Sequence, residues 1–542
     1  MKEIIYAIFL SFFLCGLCGN AEAKKKKEVK KAIKREVQTP YDKLFKGKKA
    51  FTVNGLMKMH LMAGKVYAEF PIELLNRDLA LTSSIEDISD NGEGVVGQFA
   101  GRVNQFRFTL QDSMLQARLV RRYGVKNTGM GKNADQIIER SNTPGIFQSY
   151  KILAYTPDKK AVVVDMTELF LESSRLTNPF PSYAGNSLYG FVQRIHKFQS
   201  QRSELLGICG NDNSMSVRCN LGFNVDRLVL GSFMQAKDVP VSVTVNKILM
   251  LLPEDPMRPR LADSRIGVNA IIQTELPDVC QGIKTYYITK RWRIEPVDEI
   301  RYKQGEMVDV KKPIVFYIDT LMPDSWIKYV KAGAEAWNAA FEKIGLRNVV
   351  RTELFPKDSS FDAGDIHNSV IRYAPSWMYY PQYSMHTDPR TGEILNASVY
   401  LPANVASYFY TSRTEETMAV DPSVRKARLS EEQFGEMFKA KMMQAIGRCL
   451  GLTDNYAASS VYPVDSLRSA SFTRKYGVVA SVMDDFTCNK IAQPEDVKKG
   501  VVLVQQNLGP YDYEVIKYLY KPIMEVKHFR EEKAVLGQWL KE

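Results

Sequence analysis

Histidine is scarce in this chain. The 542 residues include five, His60, His196, His367, His386 and His528, and no two of them lie close in sequence. That spacing excludes a helix presenting two imidazoles one turn apart, a common local arrangement for holding a transition metal. Cysteine is sparse as well. Cys15 and Cys18 fall in the first apolar run, which leaves Cys209, Cys219, Cys280, Cys449 and Cys488. An odd number of thiols cannot all pair within one chain. Beyond residue 17 no apolar run is long enough for a membrane-spanning helix. Residues 92–97 (GEGVVG) lack a following Lys-Ser or Lys-Thr and read as a loop, not as a phosphate cradle.

What is present begins with an export pattern. Lys2 supplies a positive start, residues 4–17 are almost wholly apolar, and Ala21-Glu22-Ala23 has the small-x-small form a signal peptidase cuts after. The expectation is an exported protein of the periplasm or cell surface, with residues 1–23 removed. Cys15 and Cys18 leave a lipoprotein reading open, although Phe12 and Cys15 stand where such a signal prefers leucine. The formal net charge is +12, and losing Lys2, Glu3 and Glu22 raises it by one. Much of the excess lies in residues 24–35 (KKKKEVKKAIKR), read as a basic linker over 24–40. It is a solvated tether or a segment resting peripherally on an anionic membrane. No aromatics interleave with these lysines, so nucleic acid is not an expected partner. At 45% hydrophobic and 25% charged residues, the remainder is globular material with ample core.

The pattern along the chain predicts an α+β protein: a mainly antiparallel β region, then an α/β domain. Short β-like runs occur at residues 56–70, with Gly64 at a hairpin turn, and at 79–82, 105–110, 115–120, 150–155, 161–166, 226–231 and 241–252. One helical stretch, residues 166–173, interrupts them. We divide this region into a small module at 41–90 and a larger one at 91–295. Cys209 and Cys219 flank a polar stretch, 210–218, that reads as a hairpin loop; they form either a disulfide staple or two buried thiols. From 296 to 542 the pattern changes. Residues 313–318 are a buried strand, and Asp324 caps a helix running to Ile344, stopped by Gly345. Further strands are expected at 349–355, 369–374 and 394–401, the last as a sheet edge. A second long helix starts at Ser430, which with Gln433 makes a capping box. Its apolar stripe includes Phe434, Phe438, Met442, Ala445 and Cys449, and it ends at Gly451.

Residues 444–454 of that helix and its exit carry an informative frame. In the motif His-Glu-x-x-His-x-x-Gly-x-x-His, two helical histidines and a third ligand hold zinc, a glutamate is the general base, and the glycine turns the chain. Laid on this sequence, the glycine falls on Gly451. The ligand positions read Gln444, Arg448 and Asp454, and the base position reads Ala445. Other fragments sit around it: residues 66–71 (VYAEFP), 261–267 (LADSRIG), 312–319, 369–373 (SVIRY), 388–395 and 451–459 (GLTDNYAAS). Residues 481–484 (SVMD) place Met483 as in a Met-turn. In order, these pieces resemble bacterial zinc-dependent metalloproteases that set two uncharacterised β-rich modules before a metzincin-like catalytic domain.

The resemblance implies a zincin fold, a zinc cofactor and peptide hydrolysis. Gln444 offers only a neutral amide, Arg448 a permanent cation that repels a metal, and Asp454 one carboxylate. Ala445 cannot take a proton from water. The expectation is therefore a peptidase-shaped protein with a degenerate site, no catalytic residues and no cofactor. It would bind peptide or protein partners through the inherited cleft or its β modules. An active metallopeptidase with unconventional ligands and a structural envelope component are the alternatives. Arg448 and Asp454 are expected to form an ion pair in place of the metal, with Gln444 hydrogen-bonded nearby. Cys449 is expected in the core and not as a nucleophile.

Overall fold

The computed structural model describes residues 38–541, apart from 121–124, 129–131, 174–175, 177, 181–191, 231–232, 279, 359–360, 377 and 486–487. The export pattern and the basic run at 24–35 lie outside the described residues.

An eleven-stranded sheet dominates the N-terminal part. In spatial order it runs β1 (Phe51–Val53), β2 (Lys58–Met62), β3 (Lys65–Pro71), β9 (Ala161–Asp165), β8 (Gly145–Tyr155), β6 (Met114–Leu119), β5 (Phe99–Gln111), β4 (Leu79–Ile88), β12 (Phe233–Leu251), β11 (Ser214–Val229) and β10 (Val192–Asn211). Every pairing in it is antiparallel. The β2–β3 hairpin turns on Ala63 and Gly64, both at positive φ, the geometry a two-residue hairpin loop requires. The sheet curls until its two ends meet, where the Leu56 amide donates to the Asn211 carbonyl at 2.7 Å. Inside the curl lie Met59, Val66, Phe70, Phe106, Phe108 and Met215, all essentially without solvent contact. Strands on both sides of residue 90 share this sheet. Besides the helix expected near 166–173, observed as Thr167–Leu171, a second helix, Lys132–Ser141, interrupts the strands.

The hairpin joining β10 to β11 turns on Asp212 and Asn213, much tighter than the loop expected at 210–218. The register that results opposes Cys209 to Ser216 and Cys219 to Leu205. Both thiols are free, Cys219 buried and Cys209 exposed, so neither a staple nor a pair of buried thiols forms.

Three smaller sheets follow, built mainly from residues beyond 251. In the first, β13 (Ala270–Leu276) lies between antiparallel β14 (Lys284–Thr289) and parallel β7 (Val125–Asn127). The second pairs β15 (Val308–Asp309) with β17 (Leu346–Arg347). The third is five-stranded, in the order β18 (Val350–Leu354), β16 (Ile314–Ile318), β19 (Ser369–Ala374), β21 (Ile394–Pro402) and β20 (Gln382–Thr387). Four strands are parallel and β20 is antiparallel to β21. The edges are therefore β18 and β20, and β21, expected at the edge, is internal. This follows from its composition, since seven of its residues from Asn396 to Pro402 are buried and both faces carry apolar side chains.

The helix expected over 324–344 is two, Asp324–Glu335 and Asn338–Glu342, separated at Ala336 and Trp337; Asp324 is the first helical residue and Pro323 holds the cap position. The break lets the Trp337 indole donate to the Met443 carbonyl at 2.9 Å, tying this pair to the motif helix (Glu431–Cys449). Gly333 permits the close crossing, because a Cβ there would sit 2.5 Å from Met442 Cβ. The Ser430–Gln433 capping box closes in both directions.

Candidate functional site

The motif helix buries Phe438, Met442, Ala445 and Cys449 against the five-stranded sheet and Trp337, which fixes the opposite face toward a cleft. Gly451 ends it at φ +94, and a Cβ would lie 2.2 Å from the Lys290 carbonyl oxygen. Only glycine meets both demands. The chain then doubles back and brings Asp454 to Arg448. The guanidinium donates to Asp454 Oδ1 from Nε at 2.9 Å and from Nη2 at 2.7 Å. The Tyr456 hydroxyl donates to Oδ2 at 3.4 Å, and the Tyr383 ring of β20 lies 5.8 Å from the Arg448 guanidinium carbon. Arg448 is 23% and Asp454 33% exposed, so the pair lies at the cleft surface and is not the largely buried one that would cost 3–5 kcal/mol to break.

Gln444 is held elsewhere. Its Nε2 donates to the Asp484 carbonyl at 3.0 Å, and Lys441 Nζ lies 3.5 Å from its Oε1. Lys441 in turn donates to Asp485 at 3.0 Å while its stem is buried. Ala445 is buried and lines the cleft beside them. The cleft they border has a volume of about 240 Å3 and is walled by Gln382 and Tyr383 on one side and Tyr456 on the other.

Beneath the helix, Met483 is fully buried with its sulfur under Gly447, where a Cβ would come within 2.4 Å of it. Asp512 anchors this turn. Its carboxylate accepts from Ser481 Oγ at 2.6 Å and from the amides of Val482 at 2.9 Å and Gly509 at 2.7 Å. Burial nevertheless pushes its pKa up to about 6. Asn455 closes the arrangement by donating its amide to the Met483 carbonyl at 3.0 Å. Cys449 is buried, its thiol pushed well above the usual range by desolvation, as suits a core residue and not a nucleophile.

Residues 426–542 match the family described as Met-zincin. The C-terminal part of the chain is a Met-zincin domain. Before it, residues 97–297 match a domain of unknown function, DUF5117. No curated protein and no solved structure is matched. The Met-zincin match begins just ahead of the motif helix and takes in Gly451, Met483 and Asp512.

The fold family implies zinc, and the donors present do not fit it. A zinc site needs three or four neutral nitrogen, thiolate or carboxylate donors in tetrahedral convergence. Here the first position is an amide engaged with a backbone carbonyl, the second is a guanidinium, and the third is a carboxylate occupied by that guanidinium. The ammonium of Lys441 adds a second cation beside the first position. The five histidines lie elsewhere: His60 on Glu69, His196 on Glu93, His367 on Asp365, His386 beneath Phe99 and His528 at the surface.

Lys441, Tyr383, Tyr456 and Asp512 were not singled out by the sequence. Lys441 had a detectable signal, since it lies three residues before Gln444 and so shares its helix face. Asp512 had a weaker one, third in a helix opening Gly-Pro-Tyr-Asp.

Proposed function

We propose that this chain is an exported, non-catalytic Met-zincin that binds an extended peptide or protein segment along its cleft. The observation carrying the reading is the Arg448–Asp454 pair: the second and third ligand positions of the motif neutralise each other, and the base position is an alanine. Hydrolysis of a peptide bond by this fold needs an activated water and a general base. Neither has a residue to supply it in the frame.

Binding needs neither. The edge strand β20 offers its outer backbone groups, and Gln382 to Met385 are exposed or half-buried, whereas His386 and Thr387 are buried. An extended segment added there gains main-chain hydrogen bonds, and the side chains of Tyr383 and Tyr456 provide aromatic contact at low entropic cost. The export pattern at residues 1–23 supports the periplasm or cell surface as the setting.

The test is a screen of immobilised peptides with the full chain in the presence of a strong chelator, followed by mass analysis of the bound peptides. We expect retention of intact peptides, weakened by Tyr383→Ala and by Arg448→Glu. Cleaved peptides, formed only when the chelator is omitted, would refute the reading.

A further inference from the structure

The positive charge of this chain is concentrated at one end. Residues 24–53 hold twelve basic and three acidic residues, nine of the thirteen net positive charges beyond residue 23. Part of that stretch is folded. The helix Pro40–Phe45 turns Tyr41 and Phe45 inward: the Tyr41 hydroxyl donates to Glu69 Oε1 at 2.6 Å, and the Phe45 ring lies 4.4 Å from that of His60 and 6.3 Å from that of Tyr67. His60 is held in turn by Glu69 at 3.0 Å and by Thr52 of β1 at 2.8 Å. With its inner face pinned to β1–β3, the helix leaves Lys43 and Lys46 outward, and the turn after it adds Lys48 and Lys49, all four exposed. Among the described residues nothing covers that turn, since a Cβ on Gly47 would meet no atom within 4 Å. β1 then presents Phe51, 60% exposed.

The nearby acids do not neutralise these lysines. Asp42 closes the capping box with Thr39 and is set against Lys46, Glu69 pairs with Lys58 at 3.3 Å, and Asp158 is set against Lys160. Lys43, Lys48 and Lys49 remain without an ion-pair partner among the described residues. The eight basic residues of 24–35 stand directly before this surface in the sequence. Lysines gathered beside an exposed aromatic ring match an anionic lipid surface, where each adds about a fivefold gain in partitioning. The ring enters the headgroup region, a contact that a soluble polyanion does not offer.

We propose that Lys43, Lys46, Lys48, Lys49 and Phe51 form a folded platform that rests on an anionic phospholipid surface and continues the basic run before it. The platform lies on the N-terminal sheet, and the proposal does not depend on how the cleft of the motif helix is read.

Co-sedimentation with vesicles tests it, using the chain from Lys24, so that the apolar run at 4–17 cannot insert, and a second chain from Gln38 that lacks the basic run. Both should bind vesicles made of equal parts phosphatidylcholine and phosphatidylglycerol, dissociate as salt is added, and ignore phosphatidylcholine alone. Lys43→Gln, Lys46→Gln, Lys48→Gln and Lys49→Gln together weaken binding of the shorter chain by on the order of a hundredfold. Phe51→Ser, at an exposed position, weakens vesicle binding about tenfold and leaves binding to soluble polyphosphate unchanged. Loss of all vesicle binding on removal of residues 24–37 overturns the proposal, as does a shorter chain indifferent to the four lysine substitutions. Vesicle binding unaffected by Phe51→Ser makes the surface a general polyanion site and overturns the lipid assignment.

Discussion

Arg448 and Asp454 sit six residues apart and meet because Gly451 reverses the chain between them. Their mutual exposure sets the energy. A pair at a cleft surface contributes about 0.2–1 kcal/mol, not the several kcal/mol of a buried one. A double-mutant cycle with Arg448→Ala and Asp454→Ala, read by chemical denaturation, should give a coupling in that range that shrinks with added salt. A coupling above about 3 kcal/mol would mean that the pair is buried in solution. At this scale the frame was legible, because glycine at a helix exit and a four-residue repeat are local patterns. The partners of Gln444 were not. Its amide goes to Asp484 and its neighbour Lys441 to Asp485, contacts set by a turn forty residues away that no spacing announces.

Asp512 shows how one side chain builds an element. Three donors converge on a carboxylate that is fully buried, and they fix the turn carrying Met483 beneath the motif helix. Asp512→Ala should cost roughly 2–4 kcal/mol of stability by leaving two buried amides and a hydroxyl unpartnered. Its pH dependence has a definite sign. The pKa is raised from 3.8 to about 6, so the folded state holds this proton more tightly than the unfolded chain. Its contribution is fullest below about pH 4, declines as pH rises toward 6, and is gone above. Unfolding free energies of wild type and Asp512→Asn, measured across that interval, should converge on different slopes, with the wild type losing stability relative to the variant as pH increases. Parallel curves would contradict the assignment. Element types were well read where periodicity was strong: the β2–β3 hairpin, β16, and the motif helix with its capping box. Misreadings had physical causes. The edge position of β20 escaped notice because residues 382–387 (QYSMHT) are polar and short, and Ala336–Trp337 continues a helical pattern although tertiary packing of the indole breaks the helix there.

The whole molecule is held together across its N-terminal sheet and its five-stranded sheet. Phe99, Ile248, Met250 and Leu252 pack against Ile366, with Leu395 beside them. Tyr400 donates its hydroxyl to the Gly97 carbonyl at 2.9 Å, and Asn91 its side-chain amide to the Pro375 carbonyl at 2.7 Å. His386 lies in this contact, fully buried, its ring centroid 4.7 Å from that of Phe99 and neither ring nitrogen hydrogen-bonded. Burial, with Lys290 nearby, lowers its pKa from 6.5 to about 4. The folded state therefore excludes a proton that the unfolded chain accepts, and stability present above pH 6.5 is lost as pH falls toward 4. His386→Phe should flatten that acid limb in thermal melts; an unchanged limb would place the acid sensitivity elsewhere. The order of β-rich region and α/β domain was legible from the change of pattern near residue 296. The interface was not, because it joins residues from Ala80 to Leu395 that have no local relation.

The account rests on the donor set at Gln444, Arg448 and Asp454, and zinc stoichiometry tests it directly. The full chain, incubated with excess zinc and dialysed, is measured by mass spectrometry of the metal. A variant carrying Gln444→His, Ala445→Glu, Arg448→His, Asp454→His and Lys441→Ala provides the comparison. The wild type should retain far less than one zinc per chain and the variant close to one. One tightly held zinc per wild-type chain, removed together with peptidase activity by a chelator, would contradict the account.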